Sequence, residues 1–216
     1  MNFATKAAAG AAGIGGVTGG GILASQHLSK GEQKPTLSQI LQKEGFEPMK
    51  DEDSQWTTTL QKYNEVKGSV DETFKSSTVE LTVPQLKEQC NSLLTKDLYS
   101  EIEKAKTIRW CTKPISINDR IDKFGRRVLN DEDNSATDKT LWTNLVKKHL
   151  QNSSENRLGV TINALTETTD VDDARINILR GECKKLKVKT SLDKDYLSDY
   201  SKFQDWCSVP KETNGH

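Results

Sequence analysis

The sequence predicts a mainly α-helical protein, in which an N-terminal membrane segment is followed by two similar helical units from an internal duplication. Three observations support this prediction: a stretch without charged residues near the N-terminus, landmarks that occur twice in the same order, and apolar side chains at helical spacing. The predicted boundaries are residues 1–30 for the membrane segment, 31–114 for the first unit and 115–216 for the second.

The N-terminal segment has no charged residue between Lys6 and Lys30 and consists mainly of Ala and Gly. A helix of about 20 such residues is long enough to cross the hydrocarbon core of a bilayer. The single Lys6 before it favours an uncleaved signal anchor, with the short N-terminal side in the cytoplasm and the body outside. Two alternatives stay open because the many glycines weaken the signal: a signal peptide cleaved near Ala24 and Ser25, and a flexible leader on a cytoplasmic protein.

The remaining chain contains one set of landmarks twice. Each copy has a Gly followed six positions later by an acidic triplet, then a Trp, a Leu-x-x-x-Cys, a Lys-Asp pair and a Trp-Cys-x-x-Pro. The landmark positions are Gly45, Asp51, Trp56, Cys90, Lys96 and Trp110 in the first copy, and Gly125, Asp131, Trp142, Cys183, Lys194 and Trp206 in the second. The pattern includes all four Trp and all four Cys, and its length differences fall between landmarks, where loops tolerate insertions.

Helix signals occur within both copies. In the first, Thr36 precedes an apolar stripe that Gly45 ends, and Thr82 precedes a helix with Pro84 in its first turn. The other predicted helix starts are at Ser54 and Thr137, and the longest predicted helix covers 172–188. Two short β-like runs, at 78–83 and 159–162, can pair as a minor sheet.

The cysteines predict a disulfide framework if the body is exported. Four Cys allow three pairings, and a duplicated unit most simply keeps its own pair, which gives Cys90 with Cys111 and Cys183 with Cys207. The alternative is four buried reduced thiols in a cytoplasmic protein. The four tryptophans, Trp56, Trp110, Trp142 and Trp206, are predicted to be structural, because large aromatic side chains supply much of the buried area of a small core.

The search for catalytic and ligand-binding residues identifies none. The chain has no nucleotide-binding, zinc-protease or nucleophile-elbow motif, and His149 falls on the apolar stripe of a predicted helix. The spacing of Asp131, Asp133, Ser135 and Asp138 resembles a calcium loop, but Ala136 and Trp142 stand where that loop needs Gly and Glu. We therefore predict no cofactor and no metal. The 31 basic and 31 acidic residues also argue against a nucleic-acid partner.

One family shares this combination of features. A Lys-containing start, an uncharged Ala/Gly segment that ends in Gly-Gly-Gly-Ile-Leu-Ala-Ser, an early Trp and a Trp-Cys-x-x-Pro resemble the paralogous, uncharacterised, membrane-associated proteins of haemotropic mycoplasmas. The resemblance covers nearly the whole chain. It implies a surface-exposed protein with a role in host contact or antigenic variation, and it implies no catalytic residues.

Together these features predict a membrane-anchored, surface-exposed interaction or antigen protein without enzymatic activity. Its expected location is the cell membrane, with a single pass through residues 1–30 and an extracellular body that contacts host proteins. Two alternatives remain at this stage. A membrane-tethered hydrolase would need a pocket with convergent carboxylates or His149, and a cytoplasmic scaffold protein would need the N-terminus to be only a leader.

Overall fold

The structure is a computed structural model that describes residues 34–75, 77–151, 156–165 and 170–211. The predicted membrane segment, residues 1–30, lies outside these residues. The described part is mainly helical, as predicted, and none of its helices is long and apolar enough to cross a membrane. Its elements are α1 Leu37–Lys43, α2 Gln55–Glu65, α3 Val83–Leu94, α4 Glu101–Cys111, α5 Ile117–Lys123, β1 Arg126–Val128, α6 Lys139–Leu150, α7 Asp173–Lys187, α8 Tyr196–Trp206 and β2 Ser208–Pro210.

Three helix starts agree with the sequence prediction. The Thr36 hydroxyl accepts from the Gln39 N–H at the start of α1, and the Gln39 side chain accepts from the Thr36 N–H in return. The Thr82 N–H donates to the side chain of Gln85 at the start of α3, and Asp172 caps α7. These side chains satisfy backbone N–H groups that have no partner within the helix.

Two predicted caps are wrong. Ser54 precedes α2, but its side chain makes no capping hydrogen bond. The residue that precedes α6 is Asp138 instead of Thr137, and it has a φ of 59°. The Asp138 carboxylate accepts from the Arg127 guanidinium and from the Asn130 N–H, so contacts outside the helix fix the chain at this point.

The predicted sheet is also wrong, because neither 78–83 nor 159–162 forms a strand. Both polar backbone atoms of Leu81 are bonded to the Asn64 side chain, which donates to the carbonyl and accepts from the N–H. This side chain on α2 takes the place of a neighbouring strand. The sheet of the described residues is instead the antiparallel pair β1 and β2, in which Val128 pairs with Ser208.

The described residues from Pro35 onward belong to one compact unit, which includes the second predicted helical unit and the first one from residue 35 on. One contact between the two parts of the chain centres on Arg120 of α5, which is largely buried. Its guanidinium carbon lies 4.2 Å from the ring centre of Phe46 and 3.9 Å from that of Tyr200. The guanidinium N–H groups donate to the Glu44 carbonyl. A cation stacked on aromatic rings therefore contributes to the packing between the two parts.

Two glycines at equivalent landmark positions differ in their surroundings. Gly45 and Gly125 both have positive φ, at 82° and 66°. A Cβ added at Gly45 would lie 2.8 Å from a ring carbon of Phe124, whereas a Cβ at Gly125 would meet nothing within 4 Å.

This difference gives a matched pair of substitutions. We expect Gly125→Ala to cost about 1 kcal/mol, the left-handed backbone penalty alone. Gly45→Ala should cost about 1 kcal/mol more, because the Phe124 ring must shift. Chemical denaturation measures both values, and the excess at Gly45 should disappear in a Phe124→Ala background. Equal costs for the two glycines would show that the ring contact carries no energy.

Candidate binding groove

The four cysteines form two disulfides, one in each part of the chain. Cys90 is bonded to Cys111, with Cα atoms 5.3 Å apart, and Cys183 to Cys207, with Cα atoms 5.6 Å apart. This is the pairing that the sequence predicts. All four side chains are buried, and each bridge joins a long helix to the residues around the end of the next one.

The four tryptophans are all buried, with at most 4% of any side chain exposed. Each indole N–H donates to a backbone carbonyl, so the polar end of every ring is satisfied inside the protein. The pairs are Trp56 with Lys50, Trp110 with Glu72, Trp142 with Asn130 and Trp206 with Asn156. The rings therefore combine a large apolar area with a specific hydrogen bond to a neighbouring loop.

The acidic residues that resemble a calcium loop point to separate basic partners. Asp131 pairs with Lys187, Asp133 with Lys184 and Asp138 with Arg127. In the described part of the chain, no group of three or more His, Cys, Asp or Glu side chains is arranged to hold a metal ion.

His149 is fully buried on α6 and packs edge-on against the Trp206 ring, with ring centres 5.4 Å apart. Its Nε2 lies 3.2 Å from the Leu158 carbonyl and its Nδ1 lies 3.2 Å from the Arg157 guanidinium. Nε2 must donate to the carbonyl and Nδ1 must accept from the guanidinium, which describes a neutral ring. Burial, with a further effect from the charge of Arg157, lowers the pKa of His149.

This geometry predicts a pH dependence. A histidine whose pKa is lowered in the folded state contributes stability above its unfolded pKa of about 6.5, and this contribution is lost as the pH falls below that value. His149→Gln keeps a donor for Leu158 and an acceptor for Arg157, but it does not titrate. We expect the free energy of unfolding to fall between pH 7.5 and 5 more steeply in the wild type than in His149→Gln. Urea unfolding at the two pH values measures this free energy. An equal fall in the wild type and in His149→Gln would contradict the neutral, buried histidine.

A concave site of about 620 Å³ lies along α3, between residues 74–75 and 77–81 on one side and the first turns of α4 on the other. Its floor and sides are apolar at Phe74, Val79, Leu81, Leu93 and Ile102. Side chains with amide or hydroxyl groups line the α3 wall at helical spacing, at Gln85, Gln89 and Ser92. We call this site the groove. Its size is that of a ligand-binding cleft, and its lining combines apolar area with a few polar groups.

Ion pairs neutralise two of the carboxylates in the groove. Lys96 lies 2.6 Å from Glu103, and Lys67 pairs with Glu80. The hydrogen bond from Lys96, together with the backbone N–H of Ser100, lowers the pKa of Glu103 to about 2. Neither carboxylate is therefore poised to exchange a proton near neutral pH.

Sequence reasoning missed the groove. Its outer wall is formed by residues 74–75 and 77–81, which overlap a run whose β-like sequence is ambiguous, and its floor combines residues from three separate stretches. Val79 and Ile102 are 72% and 65% exposed, but single exposed aliphatic residues are common on protein surfaces and give no signal in sequence. None of the eight residues predicted as structural, the four Cys and the four Trp, lines the groove.

Comparison with known proteins gives no relative. No protein-family model matches the chain, and no curated protein or solved structure has significant similarity to it.

Proposed function

We propose that the protein is a membrane-anchored surface protein, with residues 1–30 in the membrane and the body outside, and that it binds a partner protein through the groove. The observation that carries the proposal is the pair of buried disulfides, because such bridges persist in oxidising compartments and are rare in the cytoplasm. The resemblance to surface proteins of haemotropic mycoplasmas suggests host proteins as the partners.

The chemistry of the groove supports binding in preference to hydrolysis. Glu80 and Glu103 are each held by a lysine, and His149 is buried elsewhere, on α6. A hydrolase would need a convergent pair of groups free to transfer protons. The apolar floor and the amide groups of α3 fit the recognition of another chain.

We further propose that the body arose by internal duplication. The surroundings of Trp56 and Trp142 support this proposal. In both, one residue donates its N–H to the carbonyl of a bridged cysteine, and the carbonyl of the following residue accepts from the indole N–H. The Met49 N–H donates to the Cys111 carbonyl and the Leu129 N–H donates to the Cys207 carbonyl, both at 2.9 Å. The next carbonyl in each case accepts from the indole of Trp56 or Trp142.

An edge-on ring contact of the second tryptophan also occurs in both halves, with a tyrosine as its partner in one and a histidine in the other. The ring of Trp110 packs edge-on against Tyr63 at 5.2 Å, and the ring of Trp206 packs in the same way against His149 at 5.4 Å. Tyr63 and His149 each lie seven residues after the first Trp of their copy. The equivalence explains why a histidine is buried at this site: it replaces an aromatic core residue.

The geometry revises one landmark of the duplication. Leu37 at the start of α1 donates to the Lys96 carbonyl, and Ile117 at the start of α5 donates to the Lys189 carbonyl. Lys96 pairs with Glu103, and Lys189 pairs with Asp199. The structural counterpart of Lys96 is therefore Lys189, and the insertion in the second copy lies between Lys189 and α8.

Protease treatment of intact cells tests the topology. We expect added protease to remove the body without permeabilisation, while a cytoplasmic marker protein stays intact. Full protection of the body in intact cells would overturn the proposed location and would favour the cytoplasmic scaffold. Peptide mapping with and without reductant tests the disulfides independently, because an exported body should release Cys90–Cys111 and Cys183–Cys207 as linked peptides.

A further inference from the structure

We propose that the groove binds a short acidic and apolar peptide segment of a partner protein in an extended conformation. This inference rests on the proposed function, because a partner must be able to reach the groove. It adds the chemistry of the segment that is recognised.

The charges that remain without an acidic or basic partner favour an acidic ligand. With Glu80 and Glu103 paired, three charged residues are left in the groove: Lys75, Lys106 and Glu88. Among the described residues, the Lys106 ammonium donates to the Val70 carbonyl and forms no ion pair, and Lys75 has no ionic partner there either. Two ammonium groups against one carboxylate leave the groove with a net positive charge, which favours carboxylates on the ligand.

The exposed aliphatic residues favour apolar side chains at the centre of the ligand. Val79 on the outer wall and Ile102 on α4 are mostly exposed, and both line the groove. Leu98, just before α4, and Val70, whose carbonyl contacts Lys106, are 71% and 60% exposed. Covering aliphatic surface of this kind is the main source of binding free energy for a small ligand.

The α3 wall favours a peptide over a lipid. The Oε1 atom of Gln89 is buried and accepts no hydrogen bond within the described part of the chain, and rotation of this amide would turn the acceptor into the groove that Gln89 lines. A peptide backbone brings N–H donors for such an acceptor, whereas an acyl chain brings none. Gln85 and Ser92 span about 10 Å along the helix, which matches about three residues of an extended chain. An apolar tripeptide flanked by acidic residues fits both the length and the charge.

Fluorescence anisotropy with labelled peptides tests the proposal on the full-length protein in detergent micelles. The probes are N-acetylated Asp-Leu-Val-Leu-Asp and its basic counterpart Lys-Leu-Val-Leu-Lys. We expect the acidic peptide to bind and the basic peptide not to bind. The double variant Lys75→Glu/Lys106→Glu should raise the Kd of the acidic peptide at least about tenfold, because two favourable charge contacts become repulsive.

Three single substitutions serve as further variants and control. Val79→Asp lies in the groove and should weaken binding, whereas Val188→Asp alters an equally exposed valine of the second copy and should not. Lys75→Glu alone should weaken binding without unfolding the protein, since the Lys75 side chain is exposed and makes no ion pair among the described residues. Unchanged melting temperatures confirm that each variant is folded.

Three results would overturn the proposal: equal affinity for the acidic and basic peptides, unchanged affinity in the groove variants, or no binding of either peptide at millimolar concentration. Binding of monomeric dihexanoyl-phosphatidylglycerol without peptide binding would assign the lysines to a lipid headgroup instead. The outcome is separable from the topology. Peptide binding together with a body that protease cannot reach in intact cells would support the groove and overturn the surface location.

Discussion

Replacing Trp142 with alanine is expected to lower the free energy of unfolding by about 3–5 kcal/mol, the range for deleting a large buried aromatic side chain. The ring is fully buried on α6, and its N–H donates to the Asn130 carbonyl at 2.8 Å. The substitution leaves a cavity and a buried carbonyl without a donor. The guanidinium of Arg180, whose carbon lies 5.9 Å from the ring centre, also loses its aromatic neighbour. Guanidinium chloride denaturation followed by circular dichroism measures the loss.

Trp142→Phe is the matched control. Phenylalanine retains much of the buried apolar area but lacks the N–H, so its cost should be well below that of alanine and should reflect mainly the unpaired Asn130 carbonyl. The same pair of substitutions at Trp56 should give the same ranking, because its indole N–H makes the corresponding bond to Lys50. An alanine variant with an unchanged melting temperature would disprove a core role and would point to a binding role for that tryptophan.

Removing one disulfide with the double substitution Cys183→Ala/Cys207→Ala is expected to cost about 3 kcal/mol. The two cysteines are 24 residues apart, and the entropy of a closed loop of this length in the unfolded chain gives a value of that size. Cys90→Ala/Cys111→Ala should cost nearly the same, because its separation is 21 residues. A loss of this size is a large part of the stability of a typical domain.

Reduction supplies the control for the disulfide experiment. Dithiothreitol should destabilise the wild type, and it should destabilise each double variant by the contribution of the one remaining bridge only. If reductant leaves the unfolding curve of the wild type unchanged, the cysteines are not bonded in the purified protein. That result would also remove the main support for export.

The sequence predicts the local structure best where one residue determines it. The side chains of Thr36 and Asp172 accept from N–H groups of the first helical turn, and the Thr82 N–H donates to the Gln85 side chain. Such signals need no knowledge of the rest of the chain. The cysteine pairing was predictable for a different reason. A Leu-x-x-x-Cys followed by a Trp-Cys-x-x-Pro occurs twice along the chain, and each occurrence contains the two cysteines of one bridge.

The sequence predicts least where distant residues replace local partners. The 78–83 run has strand-like composition, but Asn64 takes the backbone bonds that a neighbouring strand would make at Leu81. Helix α6, which carries Trp142, starts one residue later than predicted, because the Arg127 guanidinium holds the Asp138 carboxylate. The groove depends on the first of these contacts, since Asn64 holds Leu81, which lines the groove. Its existence could not be inferred from spacing or composition.

The two disulfides also determine how the body would respond to a pulling force. One bridge closes a loop between residues 90 and 111 and the other between residues 183 and 207, and neither joins the two parts of the chain. Consider a chain that is held at a membrane and pulled by a bound partner. The segments between the bridged cysteines, with sequence separations of 21 and 24, cannot be extended while the bridges are intact. At about 3.4 Å per residue, roughly 70 and 80 Å of contour length are withheld. The covalent path through an unravelled body is therefore much shorter in an oxidising medium than in a reducing one.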